Sequence, residues 1–182
     1  QALELGDERL ADLALERILL GHALICGFGG LPLLYMGDEL GLRNDYTYAA
    51  RPEEAADNRW LHRPPMDWAR AARRFDPATL EGRLFAGVQR IIGARRRLPQ
   101  LHSGYESEIL DLGHPQLFAH LRRHPLGPLL CLYNFSEAPQ TLSLGALEPY
   151  GFHAPAEALR QGGAPAREGR LELAPYDRLW LV

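Results

Sequence analysis

The chain has 182 residues and a formal net charge of -3. This length suits one large domain or two small ones, and the mild charge argues against nucleic acid and anionic membranes as main partners. The sequence has no apolar run of the roughly 18 residues that a transmembrane helix needs, and its N-terminal pattern predicts no signal peptide.

The first predicted elements are a helix followed by a buried strand. Apolar residues at steps of three and four predict a helix from Glu8 to Cys26, with Asp7 as its N-cap and Gly27 and Gly29-Gly30 as its stop. The short apolar run Leu31 to Met36 is typical of a strand buried on both faces in a parallel sheet. A helix, a glycine turn and a buried strand form the second half of a βαβ unit, so we expect a preceding parallel strand upstream.

Asp38 and Glu39 stand at the end of the predicted strand, where catalytic groups often lie. Adjacent residues of a strand point to opposite faces, so the two carboxylates cannot meet one ligand. We therefore predict a structural role for them, in hydrogen bonds that hold the following loop.

A long polar and aromatic stretch occupies residues 40–75, the long loop. A loop of this length is usually functional or disordered, and its two tryptophans and two tyrosines argue against disorder. Within it, Arg59 beside Trp60 offers a planar donor fork for hydroxyl groups and an apolar plate for a sugar face. The alternative is that a salt bridge and a buried tryptophan order the loop. The residue types alone are compatible with both the sugar-binding and the loop-ordering interpretation.

A second helix is predicted from Asp76-Pro77 to about Leu98, because Asp is a good N-cap and Pro suits the first helical position. The triplet Arg95-Arg96-Arg97 closes this helix at its negative end, where cations are favoured. We interpret the triplet as a solvated helix terminus and not as a nucleic-acid patch.

After Leu101 the pattern changes to short apolar runs separated by turn residues, which predicts an antiparallel β-sandwich of about six to eight strands. Turns are predicted at Gly162-Gly163 and at Pro175-Tyr176-Asp177. Asn134-Phe135-Ser136 matches the glycosylation sequon, but its place at a strand end indicates a turn. The predicted strands are Ile109–Leu112, Leu117–Leu121, Leu129–Phe135, Leu142–Leu144, a segment around Phe152, Leu171–Leu173 and Leu179–Val182.

The sequence predicts no metal and no cofactor. The two cysteines, Cys26 and Cys131, lie far apart in apolar segments, which predicts two buried thiols, with a disulfide as the minor alternative. The histidines show no metal-ligand spacing on a shared face, since even His120 and His124 fall in a strand and turn region.

The chain is therefore bipartite, with a helix–strand–loop–helix segment at residues 1–101 and a β domain at residues 102–182. One parallel strand with two helices does not make a core, so something else must pair with Leu31 to Met36. Because the first residue is Gln1 and a helix follows almost at once, we expect a piece of a longer polypeptide.

Three stretches resemble a known enzyme family. Gly30–Gly41 followed by Arg63–Trp68 resembles the eighth strand and loop of the (β/α)8 barrels of the α-amylase superfamily. Leu130–Ser136 resembles the C-terminal β domain of those enzymes, and Asp57–Pro64 is similar to amylosucrases in particular. The resemblance implies an α/β plus all-β fold, in which the last βα unit of a (β/α)8 barrel precedes an antiparallel β-sandwich.

The same resemblance implies a retaining enzyme that splits sucrose, transfers its glucosyl unit to an α-1,4-glucan and releases fructose. In the family, the catalytic carboxylates follow the fourth and fifth strands, and a His-Asp pair follows the seventh, so no residue of this chain is expected to be catalytic. Arg59 matches the arginine that pairs with an aspartate of an early barrel loop and closes the glucose pocket. We therefore expect Arg59 to bind substrate.

Sucrose and α-glucan are the expected partners, through a complete barrel that the upstream part of the same protein supplies. The expected location is the bacterial cytoplasm. A sucrose hydrolase, a trehalose synthase or an α-glucosidase of the same superfamily remain alternatives. A non-catalytic scaffold and a free-standing carbohydrate-binding β domain are alternatives of another class.

Overall fold

A computed structural model of the protein describes residues 6–160, 162–163 and 166–182. The chain forms two compact units, one comprising Gln1–Leu33 with Gln89–Val182 and the other Leu34–Val88. The α-helices are α1 (Glu8–Phe28), α2 (Trp68–Ala72) and α3 (Leu80–Arg97). In the described residues, no helix is long and apolar enough to cross a membrane.

Helix α1 begins as predicted, because the Asp7 carboxylate accepts a hydrogen bond from the Leu10 amide at 3.0 Å. Its end differs from the prediction. Gly27 lies inside the helix, which continues to Phe28 and is followed by Gly29 and Gly30 with φ of 152° and 62°. Gly27 does not terminate the helix but allows it to pack closely, since a Cβ there would lie 2.6 Å from the Tyr133 hydroxyl.

The segment Leu31–Met36 follows α1 and belongs to no sheet among the described residues. Leu31 is 89% exposed and Leu33 is 80% exposed, although both are apolar. The barrel unit assigned to this segment therefore stays a prediction, which needs strands from outside the chain.

The β domain confirms the predicted antiparallel architecture. Its strands form a six-stranded sheet in the order β1-β2-β3-β9-β5-β6 and a three-stranded sheet in the order β4-β8-β7, with every described pair antiparallel. The bounds are β1 Glu108–Leu110, β2 Leu117–Arg122, β3 Leu129–Asn134, β4 Gln140–Ser143, β5 Ala156–Glu157, β6 Gly162–Gly163, β7 Ala166–Arg167, β8 Arg170–Leu173 and β9 Arg178–Leu181.

Three details of the predicted sandwich are wrong. Gly162-Gly163 is not a turn but β6, which pairs with Ala156–Glu157. Phe152 is not in a strand, yet it is 3% exposed and fills the core from a connecting segment. The described part of the chain has nine strands, whereas about six to eight were predicted. The prediction was too low because two-residue strands carry too little sequence pattern to be recognised. The turn at Pro175–Asp177 is confirmed, with Tyr176 at a φ of 54°.

The hydrophobic core lies between the two sheets and draws on both, with Leu130 and Leu132 of β3 facing Leu142 of β4 and Leu171 of β8 in one cluster. All six residues of β3 are buried, which fits a strand with a continuous apolar run that is covered on both faces. The alternate face of β3 packs against α1, where the Tyr133 hydroxyl lies 3.3 Å from the Ala23 carbonyl oxygen. Helix, sheet and sheet therefore stack in layers around β3.

A fully buried arginine, Arg122 on β2, holds the end of α1 against the chain that leads into the sandwich. Its Nη1 donates to the Phe28 carbonyl at 2.7 Å and to the Ser107 hydroxyl at 2.9 Å. Its remaining donors reach the carbonyls of Gln100, His102 and Tyr105, each at 2.7 Å. These are uncharged acceptors that satisfy a buried guanidinium without a carboxylate.

The prediction of a solvated helix terminus is wrong for Arg95. Its guanidinium is partly buried and donates to the carbonyls of Cys26 and of Gly30, the latter at 3.0 Å. The negative end of the α1 dipole lies there, so the cation stabilises the neighbouring helix as well as its own.

In the unit Leu34–Val88, α3 starts later than predicted. Thr79 is the N-cap, because its hydroxyl oxygen accepts from the Gly82 amide at 3.0 Å. Asp76, the predicted cap, instead stabilises a turn by accepting from the Ala78 amide at 3.0 Å.

Short 3₁₀-helices occur in both units, at Asp38–Leu40, Tyr46–Ala50, Asn58–His62, Arg73–Phe75, Pro99–Leu101, Leu144–Ala146 and Glu148–Tyr150.

Helix α2 is joined to α3 through a buried carboxylate. Glu81 is 4% exposed and accepts from Arg70 Nε and from Arg73 Nη2, both at 2.8 Å. Burial raises the pKa of Glu81, but the hydrogen bonds from both arginines outweigh burial and lower that pKa overall. These two ion pairs of Glu81 fix where the long loop returns to α3.

Candidate functional site

Asp38 and Glu39 stabilise the turn that opens the long loop. They lie in a 3₁₀-helix, where Asp38 Oδ2 accepts from the Tyr35 amide at 3.2 Å and Glu39 Oε2 accepts from the Gly37 amide at 2.9 Å. The predicted structural role is confirmed. The reason given for that role was wrong, because it assumed the alternation of side chains along a strand, which does not apply within a 3₁₀-helix.

The long loop is ordered by hydrogen bonds between residues 44–45 and residues 61–62, in line with its aromatic content. The Asp45 amide donates to the Leu61 carbonyl at 2.8 Å, and His62 Nδ1 lies 3.2 Å from Asn44 Oδ1. These contacts join the segment before the 3₁₀-helix Tyr46–Ala50 to the end of the 3₁₀-helix Asn58–His62.

An ionic network stabilises the middle of the loop. Asp45 accepts from Thr47 and, at 2.6 Å, from Arg51 Nη2, while Arg51 Nε donates to Glu54 at 2.5 Å. The hydrogen bonds from Thr47, followed by that from Arg51, lower the pKa of Asp45 to about 2. Asp45 is therefore ionised at neutral pH and keeps Arg51 in place.

Arg59, the predicted substrate-binding residue, lies on the second 3₁₀-helix and faces solvent, with 70% of its side chain exposed. Its Nε donates to both oxygens of Asp57 at 2.8 and 2.9 Å, and its Nη2 donates to Asp57 Oδ2 at 2.7 Å. The hydrogen bond from Arg59 lowers the pKa of Asp57 to about 2. Trp60 beside it is half-buried.

The geometry is compatible with both interpretations of Arg59 and Trp60, the sugar-binding one and the loop-ordering one. Asp57 supplies the salt bridge of the loop-ordering alternative, and the exposure of Arg59 leaves room for a ligand. The aspartate of an early barrel loop, which the resemblance assigned as the partner of Arg59, lies outside the chain. Arg59 as a substrate-binding residue therefore stays a prediction.

A cavity of about 280 Å³ opens beside the contact between Asn44 and His62. No motif of the sequence predicts this cavity, because it depends on the contact between Asn44 and His62, which lie 18 residues apart. The one available signal was His62 in the motif of Arg59. The cavity is lined by Tyr35, Met36, Gly37, Asp38, Leu42, Arg43, Asn44, His62 and Pro64.

Within the described ranges, no group of three or more His, Cys, Asp or Glu side chains could hold a metal ion. Cys26 and Cys131 are both free and buried, which confirms two separate thiols. Burial raises the pKa of Cys131 to about 12 and also raises that of Cys26, so neither thiol is poised as a nucleophile.

The antiparallel sandwich with its preceding helices has the architecture of the C-terminal part of α-amylase-family enzymes. Residues 112–182 match the family model for the amylosucrase C-terminal domain. The predicted resemblance to amylosucrase is therefore confirmed for the β domain.

The surroundings of Asn134 agree with the turn predicted at the end of this strand. Its side-chain amide donates to the Ala138 and Ala174 carbonyls, both at 2.8 Å.

Two of the similar proteins are named as enzymes, and a third was solved with a bound sugar. The trehalulose synthase MutB from Pseudomonas mesoacidophila MX-45 shares the fold with a TM-score of 0.64 at 20% identity, over 91% of this chain and 38% of that one. AmyP in complex with maltose has a TM-score of 0.64 at 19% identity, over 92% and 34%. Glucosylglycerate phosphorylase of Escherichia coli (strain K12) is 33% identical over 87 residues, which are 47% of this chain and 15% of the phosphorylase.

The chain thus spans well under half the length of each of these relatives. At about 20% identity, the solved structures show a shared fold and not a shared activity.

Proposed function

We propose that the chain is the C-terminal portion of an amylosucrase. The complete enzyme splits sucrose with retention, transfers the glucosyl unit to an α-1,4-glucan and releases fructose. The observation that carries this proposal is the match of residues 112–182 to the amylosucrase C-terminal domain. Arg59 in its selective motif Asp57–Pro64 adds support from outside that domain.

In this proposal, residues 1–101 are the end of a (β/α)8 barrel and residues 102–182 are its C-terminal β domain. The exposure of the apolar Leu31 and Leu33 supports the barrel, because further strands would cover them. Retaining chemistry needs two carboxyl groups about 5 Å apart, and we assign both to the upstream barrel loops. No residue of this chain is given a catalytic role.

Sucrose as substrate is supported by a relative with the same fold, since a MutB variant was solved in complex with the substrate sucrose. Arg59 binds the terminal glucosyl unit in this proposal. Its planar fork can pair with a carboxylate on one edge and donate to sugar hydroxyls on another. The bacterial cytoplasm is part of the proposal, and cell fractionation tests it.

Product analysis of the complete protein tests the reaction. Sucrose, maltose and trehalose are supplied separately, and released fructose, free glucose and α-1,4-glucan are measured by chromatography. We expect fructose from sucrose together with glucan. Free glucose without glucan would indicate a hydrolase, and interconversion of maltose and trehalose would indicate a trehalose synthase. Absence of any product would favour a scaffold.

A phosphorylase is the second candidate, favoured by the 33% identity to glucosylglycerate phosphorylase. Such an enzyme passes the glucosyl unit to inorganic phosphate instead of a glucan hydroxyl. The same assay with and without phosphate separates the two. Glucose 1-phosphate formed from glucosylglycerate or sucrose only when phosphate is present would replace the amylosucrase assignment.

A further inference from the structure

The cavity beside the long loop has the chemistry of a site for one small polar ligand and nearly the usual size of such a site. Its volume of about 280 Å³ lies just below the roughly 300 to 1,000 Å³ usual for small-molecule sites. Asp38, Asn44 and His62 supply hydrogen-bonding groups, while Tyr35 and Pro64 supply apolar surface. A sugar ring needs this combination, because it has hydroxyl groups around its edge and C–H bonds on its faces.

The polar wall of the cavity is held in place before any ligand arrives. His62 Nδ1 lies 3.2 Å from Asn44 Oδ1, and the nearby Asp45 amide donates to the Leu61 carbonyl at 2.8 Å. In this pairing His62 donates from Nδ1, which leaves Nε2 as an acceptor for a hydroxyl group. A preorganised acceptor loses less conformational freedom on binding.

Arg59 lies on the same 3₁₀-helix as His62, which lines the cavity. Arg59 and His62 are three residues apart on the 3₁₀-helix Asn58–His62. Side chains three apart on a 3₁₀-helix lie one above the other, separated by a rise of about 6 Å. That spacing is on the scale of one sugar unit, so a ligand that extends from Arg59 along this helix would have its next sugar close to His62.

We propose that this cavity binds the sugar unit next to the transferred glucosyl group, as the leaving group of the donor or as the acceptor, with His62 and Asn44 as its hydrogen-bonding residues. The inference rests on the proposed function and assigns Arg59 and His62 to different sugar units of the same site. The proposal makes no use of a catalytic group within this chain.

Donors that differ in the leaving group test it in the complete protein. kcat/KM is measured for the disaccharide that the enzyme cleaves fastest and for α-glucosyl fluoride, whose leaving group is a single atom. We expect His62→Ala and Asn44→Ala each to lower kcat/KM for the disaccharide about tenfold, as loss of a hydrogen bond to substrate predicts, and to leave the fluoride within about twofold. His153→Ala, an exposed histidine of the β domain, is the control and should change neither.

The other outcomes are distinguishable. Equal loss on both donors, or no loss on either, would overturn the assignment of the cavity while leaving the glucosyl-transferring activity intact. If the disaccharide is not sucrose, the amylosucrase assignment fails but the comparison of donors still decides the role of His62. A complete protein inert toward every glucosyl donor would overturn both.

Discussion

Two arginines show how differently one residue type is used in this chain. Arg59 is exposed and paired with a carboxylate two positions away, so its geometry is local. Arg122 is fully buried among main-chain carbonyls of distant segments, so its geometry is tertiary. Burial lowers the pKa of Arg122, yet an arginine remains charged. Only the first of the two is placed to meet a ligand.

Arg59→Ala in the complete protein should lower sucrose turnover by roughly a hundredfold or more, since a positioning contact to the transferred sugar is lost. The variant should remain folded in a thermal melt, because within this chain the side chain is exposed and its carboxylate partner lies only two positions away. Arg123→Ala is the matched control, an exposed arginine paired with Glu108 at 3.0 Å. Near-normal sucrose turnover in Arg59→Ala would remove the substrate-binding assignment.

His120 should make the β domain sensitive to mild acid. Burial, followed by the nearby Arg122, lowers the pKa of His120 to about 4. The unfolded chain, with a histidine pKa near 6.5, therefore binds more protons, and stability falls as pH drops from about 6.5 to about 4. The full loss would be up to about 3 kcal/mol.

His120→Phe isolates this effect, because the ring lies among Phe28, Phe118 and Tyr133. Free energies of unfolding of both proteins are measured across that pH range. We expect the stability of the variant to fall less steeply than that of the wild type. Parallel curves would show that His120 does not titrate differently in the folded state.

Among the elements, α1 carries two glycines with opposite demands. A Cβ at Gly27 would lie 2.6 Å from the Tyr133 hydroxyl and 3.2 Å from Trp180 Nε1, both on fully buried side chains. A Cβ at Gly21 would meet nothing within 4 Å. The same substitution in the same helix is therefore expected to have opposite signs.

Gly27→Ala should destabilise the chain by about 1–3 kcal/mol through overpacking. Gly21→Ala should stabilise it by about 0.5–1 kcal/mol, because alanine restricts the unfolded backbone. Denaturant unfolding of the two variants beside the wild type measures both. A neutral Gly27→Ala would mean that α1 can move away from β3 without loss.

At the start of α3, the cap depends on which hydroxyl or carboxylate meets the free amides. Thr79→Ala should cost about 1 kcal/mol in the free energy of unfolding, because the Gly82 amide loses its acceptor. Asp76→Ala should cost less, since Asp76 stabilises only the turn before the helix. The reverse order would restore the cap predicted from the sequence.

For the whole molecule, the 182-residue chain alone should release neither glucose nor fructose from sucrose. The proposed catalytic carboxylates belong to upstream loops, and the roles proposed for the cavity and for Arg59 are in binding, which by itself cleaves no glycosidic bond. A coupled assay for both sugars, with the complete protein as the positive control, measures this. Activity of the isolated chain would place the catalytic groups inside it.

The sequence by itself determined the two long helices, the antiparallel β domain, the two buried thiols and the resemblance to amylosucrase, but it did not predict the short helix α2. Each depends on local periodicity or on a contiguous motif, such as the run of β3 or the string Asp57–Pro64. It also placed Asp38 and Glu39 in structural roles.

Only the tertiary structure decided the function of Gly27, the cap at Thr79, the carbonyl contacts of Arg95 and Arg122, and the cavity formed where Asn44 meets His62. These features depend on pairs of residues that are brought together by packing. Periodicity records which face of an element is apolar, but it does not record which distant carbonyl, hydroxyl or imidazole that face will meet.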